Sequence, residues 1–439
     1  MKKSICLIAL LLLLLQCSDG QTVAAGKSEI TEWPAGKQGA VSITYDDGSY
    51  HQFTIALPIM ERLKLPATFF VITGGIPGSA YQGKFIGRPV KDIIDESASI
   101  PTDHKNFLER CSAGGYLGYK GTIGFVTKAA SFYDEKDTLK AYHLMDELYS
   151  KVRNGGFVAG YQPCDEVLQE NGLTWPALRR YAAEGYEIAS HSITHASMPG
   201  LDSANIVYEL EKSKADISKQ MGRRYTFSTE VPYGYENERV MKIAYKIYPA
   251  LRNRMPEPWL KEIDRPSRQT PGISDKDYIQ WQREMNTRAP LPLMKSWVDT
   301  VAVRRDTWLV LVIHGVDGLG YEALPGSLLS QYFTYIKSFQ DKLWIATFGD
   351  VAKYMREREN IKLSSRIIDG KIIVNMVNPL DHHFYDLPIT IKTRVPASWA
   401  KVLVKQGRHR FITKTNKVSG ELIYQADPNG GAVFLSNIR

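Results

Sequence analysis

At 439 residues, with 44% hydrophobic and 23% charged side chains, the chain is long enough for two or three domains, each with a full core. Its 34 Gly and 22 Pro are near average and no heptad or short repeat runs through it, which excludes collagen-like, coiled-coil and low-complexity classes. The formal charge of +8 is spread along the sequence with no run of five Lys or Arg, so a solvated mixed-charge surface is expected in place of a nucleic-acid groove.

Lys2 and Lys3 precede an apolar run from Ile5 to Leu15, too short to span a bilayer but right for a secretory leader over residues 1–16. Leu14-Leu15-Gln16-Cys17 has the form of a bacterial lipobox, with Gln16 where a small residue is usual. The expectation is export to the periplasm or outer surface of a bacterium, with a lipid at Cys17 as the one membrane contact, the alternative being an ordinary cleaved signal. Cys111 and Cys164 could then pair in an oxidising compartment, the alternative being two separate buried thiols.

Residues 17–36 are small, polar and unpatterned, and read as a tether. Ala40 to Tyr45 predicts a strand, Phe53 to Leu63 a helix and Ala67 to Ile72 a second strand, the rhythm of a parallel βαβ unit. Residues 74–160 are too long for a simple connection and read as an insertion whose clear helix runs from Lys136 to Val152. The βα rhythm resumes with the helix Trp175 to Ala183 and the strand Tyr186 to Ala189. It continues through the strands Trp308 to Ile313 and Leu343 to Thr347 and the helix Gly349 to Arg358. From Arg366 the pattern is β only, including a hairpin about Asp369-Gly370. The expected architecture is an α/β domain over 37–358 followed by a small all-β sandwich over 360–439.

Three segments carry chemistry. Thr44-Tyr45-Asp46-Asp47-Gly48 ends a strand, and adjacent carboxylates there point different ways, so one can hold a metal while the other acts as a base. His191 and His195, four apart after another strand, suit zinc or a similar borderline metal, and Asp47 would complete a His, His, Asp set with positions open for water. His314 ends the buried run Trp308 to Ile313 at the same rim and is a candidate general acid or base.

Thr44 to Gly48, His191 to His195, Pro232-Tyr233-Gly234 and Leu311-Val312-Ile313-His314 stand in the order of the polysaccharide deacetylase motifs, and together the chain resembles that family, carbohydrate esterase family four. The resemblance covers about residues 36–358 without the insertion. It implies an irregular (β/α) barrel and one divalent metal, most often zinc, held by Asp47, His191 and His195. It further implies Asp46 as the base acting on water, His314 as the acid for the departing sugar atom, and the backbone N–H of Tyr233 at the oxyanion. The implied partner is an acetylated glycan that loses acetate.

Two departures stand out. Glu230 occupies the third-motif position where the family has an arginine, and an acid there would raise the pKa of the base unless Arg252 or Arg254 intervenes. The fourth motif is not evident, with Asp264 and Trp259 as nominees. Tyr116, Tyr119 and Tyr233 are candidate sugar platforms. The alternative functions are an inactive carbohydrate-binding lipoprotein and a hydrolase of the same fold acting on a non-sugar amide.

Overall fold

The computed structural model describes residues 25–160, 172–235, 237–253, 263–264, 280–305 and 307–438. Cys17, Cys164, Arg254 and Trp259 lie outside the described residues, and the lipobox and the cysteine bridge with them. Cys111 is fully buried. No helix among the described residues is long and apolar enough to cross a membrane.

Among the described residues, 25–31, 361–377 and 388–438 form one compact unit, and 32–360 with 378–387 form the other. The first unit begins with β1 (Ser28–Ile30), which pairs antiparallel with a strand near the C-terminus. The stretch read as a tether is therefore structured in part: β1 enters a sheet, and Trp33, 1% exposed, donates its indole N–H to the Arg305 carbonyl in the second unit. A three-residue strand is too short to show a period, which is why composition alone suggested a linker.

The second unit is built on nine strands: β2 (Gly39–Tyr45), β3 (Thr68–Val71), β4 (Glu187–Ser190), β5 (Ser228–Thr229), β6 (Ala250–Leu251), β7 (Ile263–Asp264), β8 (Gln280–Glu284), β9 (Trp308–Ile313) and β10 (Leu343–Ile345). Their order is β6-β5-β4-β3-β2-β9-β8-β7, with β10 also on β2, and every pair is parallel. This is the irregular α/β barrel expected, and among the described residues no pairing joins β6 to β7. Both faces of its central strands are buried, as a parallel sheet requires. Val41, Ile43 and Tyr45 pack with Leu309, Leu311 and Ile313 in one cluster, while Ala40, Phe70, Ala189 and Val310 fill another. The helices α1 (Leu57–Leu63), α6 (Trp175–Ala183), α7 (Ser203–Met221), α8 (Glu238–Ile247), α9 (Leu291–Val303), α10 (Gly326–Ser338) and α11 (Phe348–Asn360) belong to this unit.

The insertion is more helical than its composition suggested. Besides α5 (Thr138–Arg153) it contains α2 (Val90–Glu96), α3 (Phe107–Gly114) and α4 (Thr122–Asp134), around a core of Phe107, Val126, Met145 and Leu148. The short helices α2 and α3 hold too few turns for an apolar stripe to stand out. Buried Arg110 ties them together, donating to Thr102 Oγ1 at 2.9 Å and to Glu96 Oε1 at 3.3 Å. One side of α7 holds the insertion: Asp216 accepts the N–H groups of Ala80 and Tyr81, and Asn205 Oδ1 that of Ile86.

The first unit continues with β11 (Lys362–Ile368), β12 (Lys371–Val377), β13 (Ile389–Arg394), β14 (Lys401–Gln406), β15 (His409–Lys414), β16 (Glu421–Ala426) and β17 (Val433–Asn437). They make two antiparallel sheets, β1-β13-β16 and β11-β12-β17-β14-β15. Asp369 and Gly370, both at positive φ, form the expected hairpin turn.

Glu357 on α11 is buried, with Oε1 accepting Leu387 N–H at 3.1 Å and Oε2 without a hydrogen bond among the described residues. Burial, with Asp386 adding to it, pushes its carboxyl up to about 8 from an ordinary 4.5. The folded chain thus holds an extra proton between those values, so this group's contribution to stability falls as pH rises through that window and levels above it. Glu357→Gln should melt above the parent at pH 9 and close to it at pH 5; an equal gap at both would contradict the assignment.

Candidate functional site

The strand-end motifs converge because β2, β4, β5, β6 and β9 run parallel and end on one rim. Asp46 N–H donates to Ile313 O at 2.9 Å, so the chain is still in register with β9 when it reaches the first carboxylate. Gln52 then ties the two strand ends, its amide donating to the carbonyls of Asp46 at 2.5 Å and His314 at 2.6 Å. Asp47 and Gly48 take φ of 73° and 80°, which turns the second carboxylate away from the first. A Cβ on Gly48 would lie 2.9 Å from the tip of the Leu173 side chain, which could shift, so it is the positive φ that favours glycine there.

His191 and His195 come together by a turn with left-handed backbone and not by a helical turn. Ser192 and His195 both have positive φ, of 67° and 58°. Side chains hold that turn: Ser190 Oγ accepts Ser192 N–H, Ser192 Oγ accepts His195 N–H, and Glu209 Oε2 accepts both Ile193 and Thr194 N–H at 3.0 Å. Glu209 also accepts Thr194 Oγ1–H and, from the insertion, the Tyr116 hydroxyl at 3.2 Å. Glu209→Ala should therefore weaken any divalent-metal affinity of the set about 10- to 100-fold with both histidines in place. A competition titration with a zinc-sensing dye checks this, and unchanged affinity would show that the turn holds itself.

Asp47 Oδ1 stands 3.5 Å from His191 Nε2 and 3.2 Å from His195 Nε2, and one ligand atom from each residue lies within 4.8 Å of the others. His191 Nδ1 faces the Glu230 carbonyl at 3.0 Å, which reserves Nε2 for a ligand. Burial opposes the Asp47 charge, but its bonds to the two imidazoles outweigh this and hold it well below the usual carboxylate range. A carboxylate and two imidazoles, with His191 buried and the other two partly so, converging with no other hydrogen bond on Asp47 Oδ1 among the described residues, fit a divalent metal of zinc type.

Beside this set lies a buried ion triad. Arg252, at the end of β6, donates Nη2–H to Asp46 Oδ2 at 2.5 Å, Nε–H to Glu230 Oε2 at 3.2 Å and Nη1–H to Thr44 Oγ1 at 2.7 Å. Asn253 holds the other Glu230 oxygen at 3.0 Å. Of the two arginines named as able to intervene beside Glu230, Arg252 does so: burial pushes Asp46 up, but Arg252, His191 and His314 together bring it below the ordinary value. His314 Nε2 is 3.5 Å from Asp46 Oδ2.

These residues line a cavity of about 550 Å³, with Tyr233 and Tyr321 at its exposed edge. Tyr233 has φ of 63° and its ring centroid lies 4.6 Å from that of His195. Neither Tyr116 nor Tyr119 lines it; Tyr116 instead supports Glu209. Asp264 is described only as part of β7. The sequence reading missed Gln282, Glu284 and Tyr321 on the cavity wall. Alternation in Gln280-Trp281-Gln282-Arg283-Glu284, with polar residues at every second place, was the available signal for the first two.

The family described as polysaccharide deacetylase matches residues 34–97 and 133–247. A gellan lyase from a Bacillus species is 26% identical over 274 residues, 58% of this chain, and the chain spans only 11% of that protein. Among solved structures, a Mycobacterium smegmatis protein described as a polysaccharide deacetylase is 14% identical and covers 76% of this chain and 96% of its own, with a TM-score of 0.38. The Xyl-CE4 domain of a multidomain xylanase from the hindgut metagenome of Trinervitermes trinervoides is also 14% identical, covering 72% and 89%, with a TM-score of 0.32. Since the matched residues include Asp46, Asp47, His191, His195 and Tyr233, which the fold brings to one rim, the chain carries a domain of the polysaccharide deacetylase family.

Proposed function

We propose that the protein is a zinc-dependent hydrolase that removes N- or O-linked acetyl groups from a glycan and releases acetate. The observation that carries this reading is the side-by-side placement, in one cavity, of the Asp47, His191 and His195 set and an arginine-paired carboxylate with His314 on its other side. A metal in that set would supply Lewis-acid polarisation of the acetyl carbonyl and a more acidic water. Asp46 is the base: its Oδ2 is engaged by Arg252, while the buried Oδ1 has no hydrogen bond among the described residues and is left to take the proton of the attacking water. His314 returns a proton to the departing sugar nitrogen or oxygen. The backbone N–H of Tyr233 serves the oxyanion. The protein acts outside the cytoplasm, held by a lipid at Cys17.

The test is acetate release by the purified full chain from a panel of acetylated glycans, with and without chelator. Release that stops with chelator and returns with zinc is expected. Sugar binding with no acetate from any member would overturn the reading in favour of a binding lipoprotein, and turnover of non-sugar amides alone would move it to another substrate.

A further inference from the structure

The five strands β11, β12, β14, β15 and β17 contain no Asp or Glu, and all of their Lys and Arg residues are exposed. The registers place these cations on one face. Directly opposed residues of antiparallel strands share a face, and Arg366 opposes Ile373, Ile373 opposes Phe434, Phe434 opposes Lys405 and Lys405 opposes Arg410. This row crosses all five strands, about 19 Å at ~4.8 Å per strand. Two residues along, Leu403 opposes Ile412, and beyond them Lys401 opposes Lys414. Lys362 and Lys371 fall on the same face by alternation, since Ile372, Val374, Val402, Val404, Val433 and Leu435 are the buried side. Among the described residues none of these cations has an ion-pair partner. The other sheet of the same unit differs, for there Lys392 bridges Glu29 at 2.7 Å and Glu421 at 3.6 Å.

Seven unpaired cations without a carboxylate repel one another, a cost that a compact surface sustains without benefit unless an anion meets it. The middle of the row is apolar, with Phe434 40% exposed and Ile412 61% exposed in the next. An exposed aromatic-apolar strip with positive charge on both sides matches a chain of rings that have apolar faces and carboxylates at their edges. A bilayer surface is the weaker match, since no apolar helix or cluster projects from the sheet to enter it. We propose that this face binds an acidic, carboxylate-bearing polysaccharide, independently of the deacetylase reading of the barrel.

Affinity electrophoresis of the full chain in gels containing polygalacturonate, with dextran as the neutral control, tests this. Retardation by polygalacturonate and not by dextran is expected, weakening from about 50 to 150 mM salt as exposed charges are screened. Lys405→Glu with Arg410→Glu should weaken it about tenfold or more, and Phe434→Ala should weaken it at every salt concentration. All three positions are exposed, and unchanged melting temperatures would confirm intact folding. No retardation, full binding by either variant, or stronger binding to phosphatidylglycerol vesicles than to polygalacturonate would overturn the proposal.

Discussion

Asp46→Asn should lower the single-turnover rate of acetate release by about 10²- to 10⁴-fold, the usual contribution of a positioned general base, while zinc content stays at one per chain. The amide keeps the shape and still accepts a hydrogen bond from Arg252, which donates to Asp46 at 2.5 Å, but it cannot take a proton. The metal set is untouched, because Asp47 is turned away from Asp46 by its left-handed backbone. His191→Ala and His195→Ala should instead lose zinc outright, since each removes one of three converging ligands. Rate and metal content measured on the same preparations separate the two roles. An Asp46→Asn protein that keeps its rate, or one that loses its zinc, would reassign this residue.

Arg252→Met should destabilise the fold by roughly 3–5 kcal/mol and raise the acidic limb of the activity profile. The arginine lies between two buried carboxylates, 2.5 Å from Asp46 and 3.2 Å from Glu230, and removing it takes away the guanidinium that the two acids share. Asp46 lies below its ordinary pKa in the folded chain, against burial and with Arg252 the largest favourable influence. It therefore adds stability above its unfolded value, and that stability is lost as pH falls through the lower folded one. Without Arg252 the Asp46 pKa rises, and the charged base survives only at higher pH. Adding Glu230→Gln to Arg252→Met should recover part of the stability by removing one stranded charge, a coupling that a double-mutant cycle in urea would measure. Additive losses would show that Glu230 and Arg252 do not act as a unit.

Glu230 stands where the family resemblance implies an arginine, and Arg252 at the end of β6 supplies the charge beside Asp46 from another anchor. Glu230→Arg would accordingly put a second guanidinium against Arg252 in a buried space, so the expected result is overcrowding and loss of stability.

That Asp46, Asp47, His191, His195 and His314 would share one rim was legible because each sits within one to five positions of an apolar strand whose period is written in the chain. A parallel strand that ends in polar residues delivers them to the rim whatever the rest of the molecule does. The Asp369-Gly370 turn and the alternating strands around it were legible for the same reason, since turn chemistry and period are local. Short elements were not. β5 and β6 have two residues each and β1 has three, and their existence depends on neighbours that offer open hydrogen-bonding edges. Nor could the sequence choose between Arg252 and other cations as the partner of Asp46, because the two are 206 positions apart and meet only where β6 and β2 reach the same rim. Glu209 and Tyr116 belong to this second class, being a helix residue and an insertion residue with no motif of their own, 93 positions apart. Strand-end chemistry is set by the order of residues along one segment, whereas the countercharges and supports around it are set by which segments the sheet order brings side by side.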